Sequence, residues 1–158
     1  MKLFIKRSVS PDELCFNIFD ELSNQKYRAC LIGSKSVLKI IVCDGSGNAV
    51  LKIRKIPLAI NGAFVFKTRK KYITFLTVTS SKGISGYFYG NNWHIQGNLA
   101  SGCFSIIDVD NTVISNQVKH GGYIELEVCN SENELFCIAT AVCASLFNTV
   151  DKLVIQTV

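Results

Sequence analysis

Basic residues cluster in two neighbouring stretches near the middle of the chain. If these stretches form adjacent strands, as many as seven cations share one sector of the surface. Lysine and arginine side chains bind phosphate oxygens and are attracted to anionic lipid surfaces. The pattern therefore predicts an anion-binding surface for a phospholipid or phosphoinositide-like head group. Its residues are Lys52, Arg54, Lys55, Lys67, Arg69, Lys70 and Lys71.

Other interpretations of this basic surface remain open. The cations can simply keep outward positions solvated and protect strand edges against aggregation, or they can contact a protein partner. Nucleic acid is a weaker candidate, because aromatic side chains do not interleave convincingly with the cations; only Phe66 and Tyr72 are near. The overall excess of positive charge is mild, with 17 Lys and Arg against 12 Asp and Glu.

Residues for catalysis or metal binding do not form a recognisable pattern. The two histidines, His94 and His120, lie far from each other and lack the near spacing to cysteine or carboxylate that such sites show. Asp108 and Asp110 fit ordinary turn chemistry. We therefore predict a non-enzymatic binding module without cofactor or metal. The alternative is a barrel that holds a small amphipathic ligand, or carries an unidentified activity, near Trp93 and His94.

The cysteines indicate a reducing compartment. There are seven, an odd number, and their spacing shows no paired framework. Cys129, Cys137 and Cys143 lie on or beside an apolar segment, where thiols behave as small hydrophobes. The N-terminal segment does not resemble a signal peptide. These features predict a cytoplasmic protein that is, at most, peripheral at a membrane.

Short β-type runs separated by turn signals fill the chain from Lys2 to Val128. A dense turn at 44–48 predicts a hairpin, and Pro57 ends its second arm because proline cannot donate to a sheet. Alternation in Val50 to Ile56 predicts a bulge near Ile56. The runs, eleven or twelve strands in all, are Lys2 to Lys6, Leu14 to Asp20, Lys26 to Ile32, Val37 to Cys43, Ala49 to Ile56, Ala63 to Arg69, Tyr72 to Thr79, Ile84 to Tyr89, Trp93 to Leu99, Gly102 to Val109, Thr112 to Lys119 and Tyr123 to Val128.

A helix that is apolar on every side is predicted from Ser131 to Val150. Ser131 and Glu134 match a capping box at its start. The uninterrupted apolar part, 135–147, is shorter than the roughly 20 residues that a membrane span needs. A helix of this kind must be enclosed by protein. Its predicted core positions are Leu135, Ile138, Val142, Leu146 and Phe147.

Together these elements predict a mainly β fold. Only a closed antiparallel barrel of about 12 strands gives such a helix a complete apolar wall. With no linker long enough to divide it, the chain 1–158 is expected to form a single domain. Residues 151–158 fit either an extension of the helix or a last strand through Leu153 to Ile155.

Several short motifs resemble the LURP-one-related family, a branch of the tubby-like superfamily that includes phospholipid scramblases. They are FNIFDE at 16–21, D-x-x-G-N at 44–48 with the following KIRK, W-x-I-x-G at 93–97, the F-x-I-x-D strand at 104–108, Y-x-E-L at 123–126 and the final apolar helix. The resemblance implies a twelve-stranded barrel around a C-terminal helix. It also implies phosphoinositide binding through a basic patch, although the ligand positions of tubby proteins do not align residue by residue with this chain.

Overall fold

The computed structural model describes residues 1–8, 13–33, 38–57 and 62–156, with side chains described as far as 147. Two single-turn 3₁₀ segments, Leu99–Ser101 and Ser131–Asn133, accompany the main elements. These are β1 (Lys2–Arg7), β2 (Cys15–Phe19), β3 (Gln25–Ile32), β4 (Lys39–Asp44), β5 (Ala49–Lys55), β6 (Ala63–Lys67), β7 (Tyr72–Ser80), β8 (Gly83–Tyr89), β9 (His94–Asn98), β10 (Cys103–Ile107), β11 (Val113–Lys119), β12 (Ile124–Val128) and α1 (Glu134–Gln156).

The strands form a closed antiparallel barrel. Each strand pairs with its neighbours in sequence, and β1 pairs with β12 to complete the ring, with Leu3 opposite Leu126. The predicted closed barrel of about 12 strands is therefore confirmed, and it has twelve. Observed strand ends differ from the predicted ones by one or a few residues, and the predicted start of the fourth strand at Val37 lies outside the described residues.

The helix α1 fills the barrel, as its apolar character predicts. Ile138 and Val142 are fully buried, and Leu146 is nearly so. Leu135 and Phe147, near the two ends of the enclosed segment, are half-buried and pack against the core. The wall alternates to match, since Leu51 and Ile53 face the helix while Lys52 and Arg54 face solvent.

Aromatic rings fill the barrel beside the helix. The rings of Phe75 and Phe88 stack with centroids 4.6 Å apart, and Phe64 meets Phe147 of α1 edge to face at 6.1 Å. Gly86 makes room for this cluster, because a Cβ there would lie 2.4 Å from the Phe75 ring. The aromatic packing therefore depends on a glycine within β8.

The start of α1 differs from the predicted capping box. The cap is Asn130, whose side-chain oxygen accepts a hydrogen bond from the Glu132 backbone N–H at 3.0 Å. The chain enters the helix through a 3₁₀ turn, so the capping residue lies one position earlier than Ser131. The Glu134 carboxylate instead accepts a hydrogen bond from Lys26.

The C-terminal end of α1 decides between the two predictions for residues 151–156, a longer helix or a last strand. Residues 151–156 continue the helix to Gln156, so no strand forms there, and 157–158 lie outside the described residues. Within the described part of the chain, no helix has both the length and the apolarity that crossing a bilayer would require.

The bulge predicted near Ile56 is wrong. Ile56 donates a regular backbone hydrogen bond to Ala63 at 2.7 Å. The register shift lies at the opposite end of β5, where Val42 faces Leu51 but Cys43 faces Ala49. One extra residue is accommodated beside the tight 44–48 turn, so the alternation of β5 is undisturbed up to Lys55.

The cysteines also differ from the prediction. Cys15 and Cys30 lie directly opposite each other on β2 and β3 and form a disulfide. Sequence spacing could not reveal this pair, because the contact depends on the register between the two strands. The five other cysteines are free thiols.

Candidate anion-binding surface

Four cations lie on the outer face of β4, β5 and β6 in two cross-strand pairs. Lys52 lies opposite Lys67, and Lys39 lies opposite Arg54. Like charges directly opposite each other on neighbouring strands are destabilising unless something compensates them. Lys39 was not among the predicted site residues; the signal that could have identified it was the antiparallel register of the predicted 37–56 hairpin.

The turn after β6 adds three more cations at the end of the barrel where α1 begins. Thr68 fixes this turn, since its hydroxyl oxygen accepts from the backbone N–H groups of Lys70 and Lys71, both at 3.3 Å. The Thr68 backbone N–H also donates to the Lys71 carbonyl oxygen at 2.9 Å. The side chain of Arg69 therefore projects from a turn of defined shape.

A cleft of about 370 Å³ lies beneath this turn. The Lys71 ammonium lies 5.3 Å from the centre of the Phe136 ring, within the range of a cation–π contact. The cleft thus combines cations, an apolar floor and two carboxylates at its rim. Its lining residues are Asp44, Asn48, Val50, Thr68, Arg69, Lys70, Lys71, Glu132, Leu135 and Phe136.

Lys55 is separated from the other predicted cations. It lies opposite Phe64, whose side chain is buried, so the register puts Lys55 on the inward-facing side at the end of β5. Its side chain is nevertheless exposed. The structure therefore brings together six of the seven predicted cations and adds Lys39. We call this set the basic surface: Lys39, Lys52, Arg54, Lys67, Arg69, Lys70 and Lys71.

Positive charge on the basic surface is not neutralised by direct ion pairs. Among the described residues, ion pairs within 4 Å join only Lys2, Lys26, Arg28 and His120 to carboxylates, and all four lie elsewhere. Asp44 lines the cleft, but its Oδ1 accepts backbone N–H groups of its own turn, from Ser46 at 2.9 Å and Asn48 at 3.0 Å. The surface therefore carries a concentrated positive potential.

Exposed tyrosines flank the basic surface. Tyr72 lies directly opposite Lys67, and its side chain is 68% exposed. Tyr89 lies opposite Thr74 on the following strand and is 62% exposed. Tyrosine has an apolar ring and a polar tip, a combination suited to the interface between a membrane and water. In the sequence, Tyr72 is notable only as an aromatic residue near the cations, and no pattern distinguishes Tyr89.

Trp93 and His94, the residues of the alternative site, lie on opposite sides of the barrel wall. Trp93 is buried and packs edge to face against Phe88 with centroids 5.8 Å apart. His94 is half-buried opposite Tyr87 on the outer face. Neither residue lines any of the three clefts found among the described residues.

Titratable groups in the interior do not favour covalent chemistry. Burial raises the pKa of the Cys137 thiol to about 12 and also raises the pKa of Cys143. Both thiols are therefore protonated at neutral pH and poor nucleophiles. Within the described ranges, no group of three or more His, Cys, Asp or Glu side chains is arranged to hold a metal ion.

Comparison with known proteins found no matching family model, no similar curated protein and no similar solved structure. The resemblance to the LURP-one-related family therefore stays a prediction.

Proposed function

We propose that this protein is a non-enzymatic module that binds anionic phospholipid head groups through the basic surface. The observation that carries the proposal is the pair of like-charged cross-strand contacts, Lys52 with Lys67 and Lys39 with Arg54. Their repulsion persists without a carboxylate within 4 Å among the described residues, so a bound anion is the compensation that this geometry favours.

The cleft beside the 68–71 turn provides a place for a head group. Arg69 and Lys70 supply donors for phosphate oxygens, and Phe136 supplies an apolar floor. Tyr72 and Tyr89 lie where a barrel resting on a membrane with its basic surface would place them at the interface. Each cation near an anionic surface contributes about 1 kcal/mol to binding, so seven form an effective, salt-sensitive contact.

The observed fold agrees with the resemblance found in the sequence. A twelve-stranded barrel around a C-terminal helix is the architecture that membership of the LURP-one-related, tubby-like group implies, and this agreement supports membership.

Anionic lipid is concentrated in the cytoplasmic leaflet, so we propose that the protein acts at that surface. The Cys15–Cys30 disulfide is more typical of oxidising compartments, and a measurement of its oxidation state in cells bears directly on this placement.

Co-sedimentation with vesicles tests the proposal. The protein is mixed with vesicles of phosphatidylcholine alone or with added anionic lipid, at low salt and at about 0.5 M salt. We expect binding that requires anionic lipid and is lost at high salt. The variant with both Lys52→Glu and Lys67→Glu should bind at least about 30-fold more weakly, since two contacts of about 1 kcal/mol are lost.

A matched control separates this surface from overall charge. Lys6→Glu with Lys82→Glu changes the net charge by the same amount, but Lys6 lies on β1 and Lys82 in the β7–β8 turn, away from the basic surface. This variant should retain most of the binding. Equal loss in both variants, or no binding by the native protein, would exclude the basic surface as a lipid site and direct the search to a protein partner.

A further inference from the structure

A second cleft lies at the opposite end of the barrel from the 68–71 turn, beside Ala144 and Ser145 of α1. It encloses about 270 Å³, nearly twice the roughly 150 Å³ of an engineered apolar cavity that accommodates benzene. Its floor is apolar and includes Ile5, Phe16 and Ala144 of α1. This space admits a head group and the first carbons of an alkyl chain, but not a whole two-chain lipid.

Basic side chains line the mouth of this cleft. They are Arg7, Lys119 and His120, and the lining contributed by the described residues contains no carboxylate. His120 contacts Glu125 at 3.2 Å outside the lining, and Lys2 shares that carboxylate. Arg7 and Lys119 have no ion pair within 4 Å among the described residues, so these two cations face the cleft uncompensated over an apolar floor.

Two glycines, Gly121 and Gly122, border open space at the mouth. A Cβ added at Gly121 or Gly122 would meet no atom within 4 Å. Gly102 closes the other side: its φ of 76° lies in the left-handed region, and a Cβ there would lie 2.8 Å from the Lys119 side chain. Lys119 can therefore pass closely over the chain and extend along the mouth.

The inner wall contains a buried side-chain oxygen that has no hydrogen-bond partner among the described residues. Gln117 is only 3% exposed and donates from Nε2 to the Gly102 carbonyl oxygen at 3.1 Å. That bond fixes the orientation of the amide, because the reversed amide would place two oxygens against each other. Its Oε1 is then a buried acceptor without a partner among the described residues, a costly arrangement that a ligand hydroxyl would relieve.

We infer that this cleft binds a single-chain amphiphile whose small head group carries both a negative charge and a hydroxyl. Arg7 and Lys119 hold the charge, the hydroxyl donates to Gln117 after a small side-chain adjustment, and the chain lies on Ile5 and Phe16. The monoanion of an alkyl phosphate has this chemistry. The site is separate from the basic surface, and neither proposal depends on the other.

Three octyl compounds separate the components of this recognition. Octyl phosphate at about pH 5.5 is mainly the monoanion with one hydroxyl, because its second pKa is about 6. Octyl sulfate has the same charge without the hydroxyl, and octyl glucoside has hydroxyls without charge. Titration below micelle-forming concentrations is followed by the backbone amide signals of Gly121 and Gly122 in ¹H–¹⁵N NMR spectra. We expect saturable shifts with octyl phosphate, weaker binding of octyl sulfate and none of octyl glucoside.

The matched variants are Gly122→Asp and Gly122→Asn. Both side chains have the same size and enter open space, so both proteins should fold with an unchanged melting temperature. Only aspartate opposes the anion, and we expect its Kd for octyl phosphate to rise about tenfold while the asparagine variant stays within twofold of the native value. The Lys52→Glu, Lys67→Glu double variant should bind octyl phosphate normally.

Three results would overturn the inference. Absence of saturable shifts at Gly121 and Gly122, or equal affinity of the aspartate and asparagine variants, would show that the mouth does not select an anion. Equal affinity for octyl phosphate and octyl sulfate would refute the hydroxyl contact assigned to Gln117.

Discussion

Lys26 of β3 contacts Glu134 in the first turn of α1, with Nζ and Oε1 2.6 Å apart. Glu134 is almost completely buried, whereas the Lys26 side chain retains one third of its exposure. The pair joins the barrel wall to the helix where the helix enters. Its acidic partner also lies at the helix N-terminus, where the helix dipole favours negative charge.

Removing the lysine should therefore be more harmful than its exposure suggests. Lys26→Met keeps the length of the side chain but leaves a buried carboxylate without its partner. We expect a loss of about 1–3 kcal/mol in the free energy of unfolding, below the range for fully buried pairs because solvent reaches Lys26. Denaturant unfolding measures this, with the exposed Lys82→Met as control. A double variant that adds Glu134→Gln should lose less than the two single losses combined.

Tyr27 gives the fold a sensitivity to alkaline pH. Burial, followed by the nearby Glu134 carboxylate, raises the pKa of Tyr27 to about 12 from an ordinary value of 10.0. The folded state then holds the phenolic proton more tightly than the unfolded state, so this contribution to stability is complete below pH 10 and decreases between pH 10 and 12. Tyr27→Phe should flatten the stability profile in that window. Tyrosinate absorbance at 295 nm should lose its late-titrating component in the same variant.

Substitutions of α1 side chains that pack against the barrel wall should lower the free energy of unfolding severely. Leu146→Ala should cost about 2–5 kcal/mol because it leaves a cavity between α1 and the barrel. Ala141 is fully buried, and Ala141→Asp should prevent folding because its charge would have no partner. Val118, which is 45% exposed on β11, supplies a control: Val118→Ala should change stability by less than about 0.5 kcal/mol. A soluble Ala141→Asp protein with a native melting temperature would contradict an enclosed helix.

The number of reactive thiols tests the Cys15–Cys30 disulfide. In denaturant without reductant, five of the seven cysteines should react with a thiol reagent, because Cys15 and Cys30 are joined. All seven should react after reduction. Cys15→Ser should leave six reactive thiols with or without reductant. Seven reactive thiols in the unreduced native protein would show that the pair is not oxidised under the conditions used.

The architecture was predictable from the sequence because two strong periodicities agree. Alternation in runs such as Ala49 to Lys55 fixes which side chains face inward, and a helix apolar on every side requires a complete wall. Details that depend on register were not predictable. The disulfide depends on the β2–β3 pairing. The helix cap is Asn130 and not Ser131, because a single 3₁₀ turn precedes α1. The bulge lies beside the 44–48 turn and not near Ile56.

The candidate sites, too, were predictable only in part. Seven cations were recognisable as a cluster, and six lie together, because outward positions on adjacent strands converge whatever the exact register. Alternation along β5 already puts Lys55 on the side of Leu51 and Ile53, and its pairing with Phe64 shows that side; the bulge wrongly predicted near Ile56 had left it open. The second cleft was not predicted, because Arg7 is distant in sequence from Gln117 and Lys119 and lies beside them only when the barrel closes.

Pairing between β1 and β12 has a consequence for synthesis on the ribosome. The first strand to emerge finds its second partner only after residues 124–128 have left the exit tunnel, and the helix that fills the barrel follows later still. Until then β1 presents an unpaired edge and the inner wall has no core, a state prone to aggregation. Capture of the nascent chain by chaperones should therefore persist until β12 and α1 have been made.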